Sequence, residues 1–459
     1  MDKFVIRGGN PLLGTIRVSG SKNSALPCMA AAILTEEEVV LENIPQVRDI
    51  ETERKLLVSM GAEVELGYGR AQHRTTISCR TIAEPTAPYE IVKTMRASSL
   101  VLGPLVARCG VARVSMPGGC AIGARPIDLH TKGLETLGAK ISYEHGYIEA
   151  RAERLKGAHI VFDKITVTGT EDLLMAAVLA EGETVMENCA REPEVTDVAA
   201  MLTAMGAQIH GAGSSTIRVR GVSRLRGVKH RINPDRIEAG TFLIAGAITG
   251  GDLCVDHCNP AHLTALMKKL EECGVRIDVL GHDQIRVRSE APLHLRRDAA
   301  AETAGAEDVR VRTSAGLKAA DISTEEYPGF PTDMQAQYMA LATQAEGTSL
   351  VKENIFENRF MHVQELVRMG ANIRVDGRTA TVRGRTPLSA AAVMCSDLRA
   401  SASLVLAALV ADGESILDRV YNIDRGYERI EEKLRGVGAQ IRRMGNVFAE
   451  KREPEMAQA

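Results

Sequence analysis

Apolar and polar positions along the chain fall into two alternating textures. The first is a set of Ala-rich runs nearly free of charge: ALPCMAAAIL from Ala25, LLMAAVLA from Leu173, FLIAGAI from Phe242, YMALAT from Tyr338 and SLVLAALVA from Ser403. Such runs read as apolar helices that cover the apolar face of a sheet. After each comes an acidic or glycine break and then an alternating run (VVLEN, TVMEN, LCVDH, LVKEN, ILDR) with the two-residue period of a half-buried strand. A sixth copy, SSLVLGPLVARCGVARVSM, fits less tidily.

The second texture is an apolar helix end that closes in glycine and enters an alternating strand. It recurs as SMGAEVEL at Gly61, TLGAKISY at Gly138, AMGAQIHG at Gly206, ECGVRIDV at Gly274, RMGANIRV at Gly370 and GVGAQIRR at Gly438, spaced 77, 68, 68, 96 and 68 residues apart. Glycine suits the left-handed cap that closes a helix. The two phrases in fixed order define a repeat of about 68 residues: helix, strand, helix, strand, with a short strand pairing back in several copies, as in GAQIHGAGSSTIRVRG. Six copies group most simply as two sets of three, predicting two similar α/β domains with helices packed inside or against sheets. The long fourth interval holds an Ala-, Arg- and Glu-rich stretch, about 291–316, that reads as an insertion.

Composition narrows the function classes. A chain of 459 residues exceeds what one core usually supports, in keeping with two domains. A net charge of -3, only 3% aromatic residues and no tryptophan argue against a nucleic-acid partner. No run approaches 18 uncharged apolar residues and MDKFVIRGGN lacks the features of a signal peptide, so membrane insertion is not expected and a cytoplasmic location is. Nine cysteines without regular spacing make no disulfide framework. Cys254, Cys258, His257 and His262 are the nearest approach to a metal motif, but a C-x3-C strand end without a second pair is weak, and no metal is expected.

Two loops carry chemistry. In SGSKNSALP a lysine and an asparagine open the first Ala-rich helix, and a helix N-terminus with a cation beside it suits a phosphate or carboxylate. In MPGGCAIGARPIDLH, Cys120 is flanked by Gly118, Gly119 and Gly123, and Arg125 favours the thiolate, whereas Cys28, Cys109, Cys189 and Cys395 sit in apolar or strand-like runs typical of inert thiols. KTMRAS (Arg96), FPTDMQAQ (Asp333), FENRFMH (Arg359), SDLRASAS (Asp397, Arg399) and IDRGYERI (Arg425) recur where a loop meets a helix. Singly, each arginine reads as a surface charge. Together, at recurring positions in similar units, they favour a cleft that binds a small anion bidentately.

These seven motifs, in their order along the chain, resemble the enolpyruvyl transferases, and specifically those acting on UDP-N-acetylglucosamine. The similarity spans nearly the whole chain apart from the insertion and the C-terminal tail. The resemblance implies an inside-out α/β architecture of two three-unit domains, helices enclosed by sheets, with boundaries near residues 22–233 for one domain and 1–21 plus 234–459 for the other, and an active site in the cleft between them. It implies transfer of the enolpyruvyl group of phosphoenolpyruvate to the sugar 3-hydroxyl with release of phosphate, without metal or organic cofactor. By the same resemblance Lys22, Arg125 and Arg425 are ligands of phosphoenolpyruvate, with Arg359 and Arg399 nearby and Asn23 close to both substrates. Arg96, Arg125, Pro126, Ile127, Asp128, Leu129, Lys164, Ile165, Thr166, Val167, Asp333, Ile355 and Asp397 match nucleotide-sugar contacts and their surroundings. Cys120 is the candidate acid and Asp333 the candidate base. In DKITVTGTED, Thr168 replaces the commoner glycine and puts the diphosphate contact there in question. The alternatives are a non-catalytic nucleotide-sugar binder and the sister enzyme acting on shikimate 3-phosphate.

Overall fold

The computed structural model describes residues 2–67, 73–116, 127–289 and 316–445. Cys120, Arg125, Pro126 and all of the insertion except Gly316 therefore lie outside the described residues. The chain divides into two compact units. One, the Lys22 unit, comprises Ser19–Asp235 and Glu326–Pro328; the other, the Asp333 unit, comprises Met1–Val18, Arg236–Glu325 and Gly329–Ala459.

The repeat is visible as six four-stranded sheets of one topology. In a representative sheet, Thr86–Ala87 runs parallel to Val111–Ser115, which pairs antiparallel with Tyr147–Arg151, which pairs antiparallel with Lys140–Glu144. The parallel edge strand was not legible in the sequence, because two or three residues are too few to show a period. Where the first repeat of each unit has no strand upstream, another segment supplies the edge. Val228–Arg231 flanks Val39–Glu42, and Leu13–Arg17 flanks Asp252–Asp256. Lys3–Arg7 fills an inner position between Glu414–Asp418 and Gln440–Met444. Pairing these strands removes edges that would otherwise present unpaired backbone groups. All six repeat glycines adopt the left-handed conformation, with φ from 85° to 108°.

The Ala-rich runs form the enclosed helices. In the Lys22 unit these are α1 (Lys22–Ala31), α2 (Leu102–Cys109) and α3 (Val167–Ala177); in the Asp333 unit, α4 (Arg236–Ile248), α5 (Gln335–Ala342) and α6 (Leu398–Ala408). Every residue of α5 is buried, as is every residue of α4 from Ile237 onward. Among the glycine-ended helices, Thr264–Glu272 buries only Leu266 and Leu270. Helices apolar all round are stable only when surrounded, so three of them in each unit fill the core and the sheets with their outer helices close around it. The fold is thus α/β with helices enclosed by sheets. No helix among the described residues is long and apolar enough to cross a membrane.

Candidate active site

In the Asp333 unit the loop before α5 carries Asp333, the segment after strand Gly347–Lys352 carries Arg359, and the first turn of α6 carries Arg399. The three meet. Arg359 Nη2 donates to Asp333 Oδ1 at 2.6 Å, and Arg399 Nε and Nη2 donate to Asp333 Oδ2 at 3.2 and 3.1 Å. Both arginines are nearly buried, at 7% and 5% exposure. Burial alone would push the Asp333 carboxyl up, but the Arg399 and Arg359 guanidiniums, with Arg236 at the start of α4 adding to them, outweigh it and hold the group well below the usual carboxylate range. Burial, and then the Arg359 charge, press His362 down to about 3, so it stays neutral.

Neighbouring groups fix this arrangement. The Arg399 guanidinium lies 5.6 Å from the Tyr427 ring, and the Tyr427 hydroxyl bonds Thr241 and Gln337 at 2.9 and 3.2 Å. Arg425, two residues from Tyr427, is half-buried in the turn that follows Val420–Asn422. Asp397 is the N-cap of α6: its Oδ1 accepts from the Arg399 and Ala400 N–H groups at 2.9 and 3.0 Å, so it orients Arg399 through the helix end. Ile355 is half-buried, and its N–H donates to Glu353 at 3.0 Å.

In the Lys22 unit, Lys22 opens α1 behind Ser21, whose hydroxyl accepts from Ser24 N–H at 3.2 Å. The lysine is only 8% exposed and donates to Asp49 Oδ2 at 3.0 Å. Four residues beyond Asp49, on helix Arg48–Ser59, Glu53 is fully buried and its two carboxylate oxygens have no hydrogen-bond partner among the described residues. Burial, and then the Asp49 charge, push Glu53 up to about 8. Asp49 and Glu53 were missed in the sequence, although a signal exists: with Ile50, Leu56 and Leu57 they lie on the buried face of an amphipathic helix, where acids are out of place.

The expected nucleotide-sugar segments lie in the same unit. Ile127 precedes and Asp128 and Leu129 begin helix Asp128–Thr136, while Ile165, half-buried, and Lys164, exposed, lead into α3, whose N-cap Thr166 accepts from Gly169 N–H at 3.1 Å. Val167 is the first residue of α3. The Thr168 hydroxyl is 3.2 Å from His130 Nε2, and His130 Nδ1 is 3.0 Å from Asp172, which also accepts from Gly103 N–H at 2.7 Å. The residue that departs from the commoner glycine thus ties the two segments together. Asn23 on α1 and Arg96, the first residue of the short helix Arg96–Val101, are half-buried.

Thiols outside the Cys120 loop are unreactive in character. Burial raises Cys28, raises Cys189 to about 11 and raises Cys395 to about 12; half-buried Cys109 is also raised. Cys254, Cys258, His257 and His262 do not form a ligand group among the described residues; the grouping found there is Cys28, Asp197 and His230. Its ligand atoms are already engaged: His230 Nε2 is 2.9 Å from Asp197, which also accepts from Asn233 N–H at 3.0 Å, and the Cys28 thiol is held protonated. This set does not suit a metal ion.

The family model for EPSP synthase (3-phosphoshikimate 1-carboxyvinyltransferase) matches residues 6–434. The chain is 81% identical over 453 residues to a UDP-N-acetylglucosamine 1-carboxyvinyltransferase of Acidobacterium capsulatum, spanning 99% of this chain and 98% of the relative. It is 70% identical over 454 residues to an enzyme of the same name from Koribacter versatilis, spanning 99% of each. Among solved structures it is similar to the enolpyruvyl transferase NikO from Streptomyces tendae, with a TM-score of 0.81 and 26% identity over 96% of this chain and 98% of that one. The EPSP synthase of Acinetobacter baumannii, at a TM-score of 0.68 and 19% identity over 97% of this chain and 100% of that one, shares the fold. Six sheets of one topology, an arginine pair on a carboxylate and likeness running almost end to end agree, and the chain belongs to the EPSP synthase family of enolpyruvyl (carboxyvinyl) transferases.

Proposed function

We infer that this chain transfers the enolpyruvyl group of phosphoenolpyruvate to the 3-hydroxyl of UDP-N-acetylglucosamine, releasing phosphate and supplying peptidoglycan precursor synthesis in the cytoplasm. Close relatives carrying that activity in their name support the acceptor. Arg359 and Arg399, from two different repeats, converge on one half-buried carboxylate, and that convergence is what a small dianion requires.

The reaction is an addition followed by an elimination. A proton adds to the methylene carbon of phosphoenolpyruvate, the sugar oxygen bonds to C2 as its own proton passes to a base, and a tetrahedral phospholactoyl intermediate forms. The methyl group then loses a proton, the C2–O bond to phosphate breaks, and the double bond returns. Cys120 is the acid and Asp333 the base. Lys22, Arg125 and Arg425 hold the phosphate and carboxylate, and Arg96, Ile127 to Leu129, Lys164 to Val167 and Ile355 hold the nucleotide sugar.

Asp333 in its ion-paired state is a weak base. An arriving anion that takes Arg359 and Arg399 releases the carboxylate from both guanidiniums and raises its proton affinity, so base strength and substrate occupancy rise together. A phosphate-release assay tests the function: release requires both substrates, and shikimate 3-phosphate does not replace the sugar. Equal release with shikimate 3-phosphate, or none at all, refutes it. Fosfomycin, an epoxide that alkylates this thiol in the family, is expected to add once to the intact protein and not to the Cys120→Ser variant; an adduct on Cys254 or Cys258 would place the reactive thiol elsewhere.

A further inference from the structure

Glu353 follows strand Gly347–Lys352 and is 1% exposed. Its Oε1 accepts from Thr324 Oγ1 at 3.0 Å, from Thr332 Oγ1 at 3.0 Å, and from the Ile355 and Phe356 N–H groups at 3.0 and 3.1 Å; its Oε2 accepts from Thr332 Oγ1 at 2.9 Å. Among the described residues every donor to this carboxylate is neutral, which is an uncommon way to keep a buried carboxylate and one that demands all of its hydrogen bonds. A hydroxyl has one hydrogen. With both carboxylate oxygens within 3.0 Å, the Thr332 hydrogen points at Glu353 and its lone pairs are left for Arg359 Nη1, which donates to Thr332 Oγ1 at 3.2 Å. The other end of the same guanidinium donates to Asp333. Phe356, whose N–H Glu353 holds, places its ring 5.1 Å from the Arg359 guanidinium.

We propose that Glu353 is a positioning residue for the transfer reaction, acting through the Thr332 hydroxyl to set the orientation of the Arg359 guanidinium beside Asp333. The chain runs from guanidinium N–H to hydroxyl oxygen and from hydroxyl hydrogen to carboxylate, so the charge on Glu353 fixes the direction of both bonds. The proposal rests on the reading that Arg359 meets an anionic group of the substrate. It adds a residue that touches neither substrate nor the reacting atoms and that alternation in VKEN gives no reason to single out.

Glu353→Gln separates orientation from folding. Its amide oxygen keeps the bonds from Thr324, Thr332 and the two backbone N–H groups, but its NH2 replaces the acceptor at Oε2 with a donor that competes with Arg359 for the lone pairs of the Thr332 hydroxyl. The fold is retained while kcat falls about 10- to 100-fold and the KM for phosphoenolpyruvate rises, with the KM for the nucleotide sugar little changed. Thr332→Val gives a similar loss, Thr332→Ser restores the rate, and the Glu353→Gln/Thr332→Val double variant is no worse than either single variant, because both break one chain. Calorimetric titration with inorganic phosphate reads the same orientation without turnover, and Glu353→Gln should bind it about tenfold more weakly. Unchanged kcat and phosphate affinity in Glu353→Gln, or losses that multiply in the double variant, overturn the proposal. Should wild-type protein bind phosphate yet release none from the two substrates, the functional reading fails while the phosphate titration still decides the role of Glu353.

Discussion

Two charge clusters, one in each unit, differ in the sign of the side chains that predominate. In the Lys22 unit one ammonium faces Asp49, with Glu53 close behind. In the Asp333 unit two guanidiniums share one carboxylate, with a neutral histidine nearby. Surplus negative charge can be discharged by taking up a proton, and Glu53, raised to about 8, does so at neutral pH. Surplus positive charge on arginine cannot be discharged that way, because guanidinium does not lose its proton in proteins. The first cluster therefore adjusts its charge by protonation, whereas the second keeps both guanidinium charges with Asp333 as a resident counter-ion.

Asp333→Asn should have the largest effect. Turnover falls by about 10³-fold because the base is lost, while inorganic phosphate, followed calorimetrically, binds about tenfold more tightly because the arginines no longer have an internal partner. Weaker phosphate binding in this variant would erase the contrast between the clusters. Next, Lys22→Met removes the ammonium that pairs with buried Asp49 and lowers stability by about 3 kcal/mol in urea unfolding. Arg399→Met leaves Asp333 paired with Arg359, so its loss of stability should be clearly smaller, with the main damage in phosphate affinity.

Glu53→Gln should stabilise the protein, by on the order of 2 kcal/mol at pH 7. The folded value of about 8 lies above an unfolded value of about 4.3, so the folded state holds a proton that the unfolded chain releases across that window. The proton-linked stability is fully present below the unfolded value and is lost as pH rises through about 8; replacing the acid with an amide removes the slope. Thermal unfolding from pH 5 to 8 checks this, and parallel curves for the variant and wild type would show that Glu53 is not the protonated group.

Much of the fold was legible because its signals are local. Gly61, Gly138, Gly206, Gly274, Gly370 and Gly438 mark positions that need a left-handed residue, and the Ala-rich runs mark helices that water cannot touch. The parallel edge strands were not legible, since a strand such as Ile322–Ser323 is defined by its partner and not by its own pattern. At the site, Lys22 was found as a helix opener, but its burial against Asp49 was not. Asp397 was marked as a site residue, and the structure shows its carboxylate capping α6. Glu353 carried no signal, because an acid after an exposed Lys352 at a strand end looks like surface.

By itself the sequence determined the repeat, the enclosed helices, the class of fold and the side chains able to meet an anion, because periodicity, capping and residue chemistry act over a few neighbours. Only the tertiary structure decided which charges meet. Asp333 and Arg399 are 66 residues apart along the chain yet within hydrogen-bond distance. The protonation and orientation of each group follow from the sum of fields and desolvation at one place, which no local stretch of chain contains.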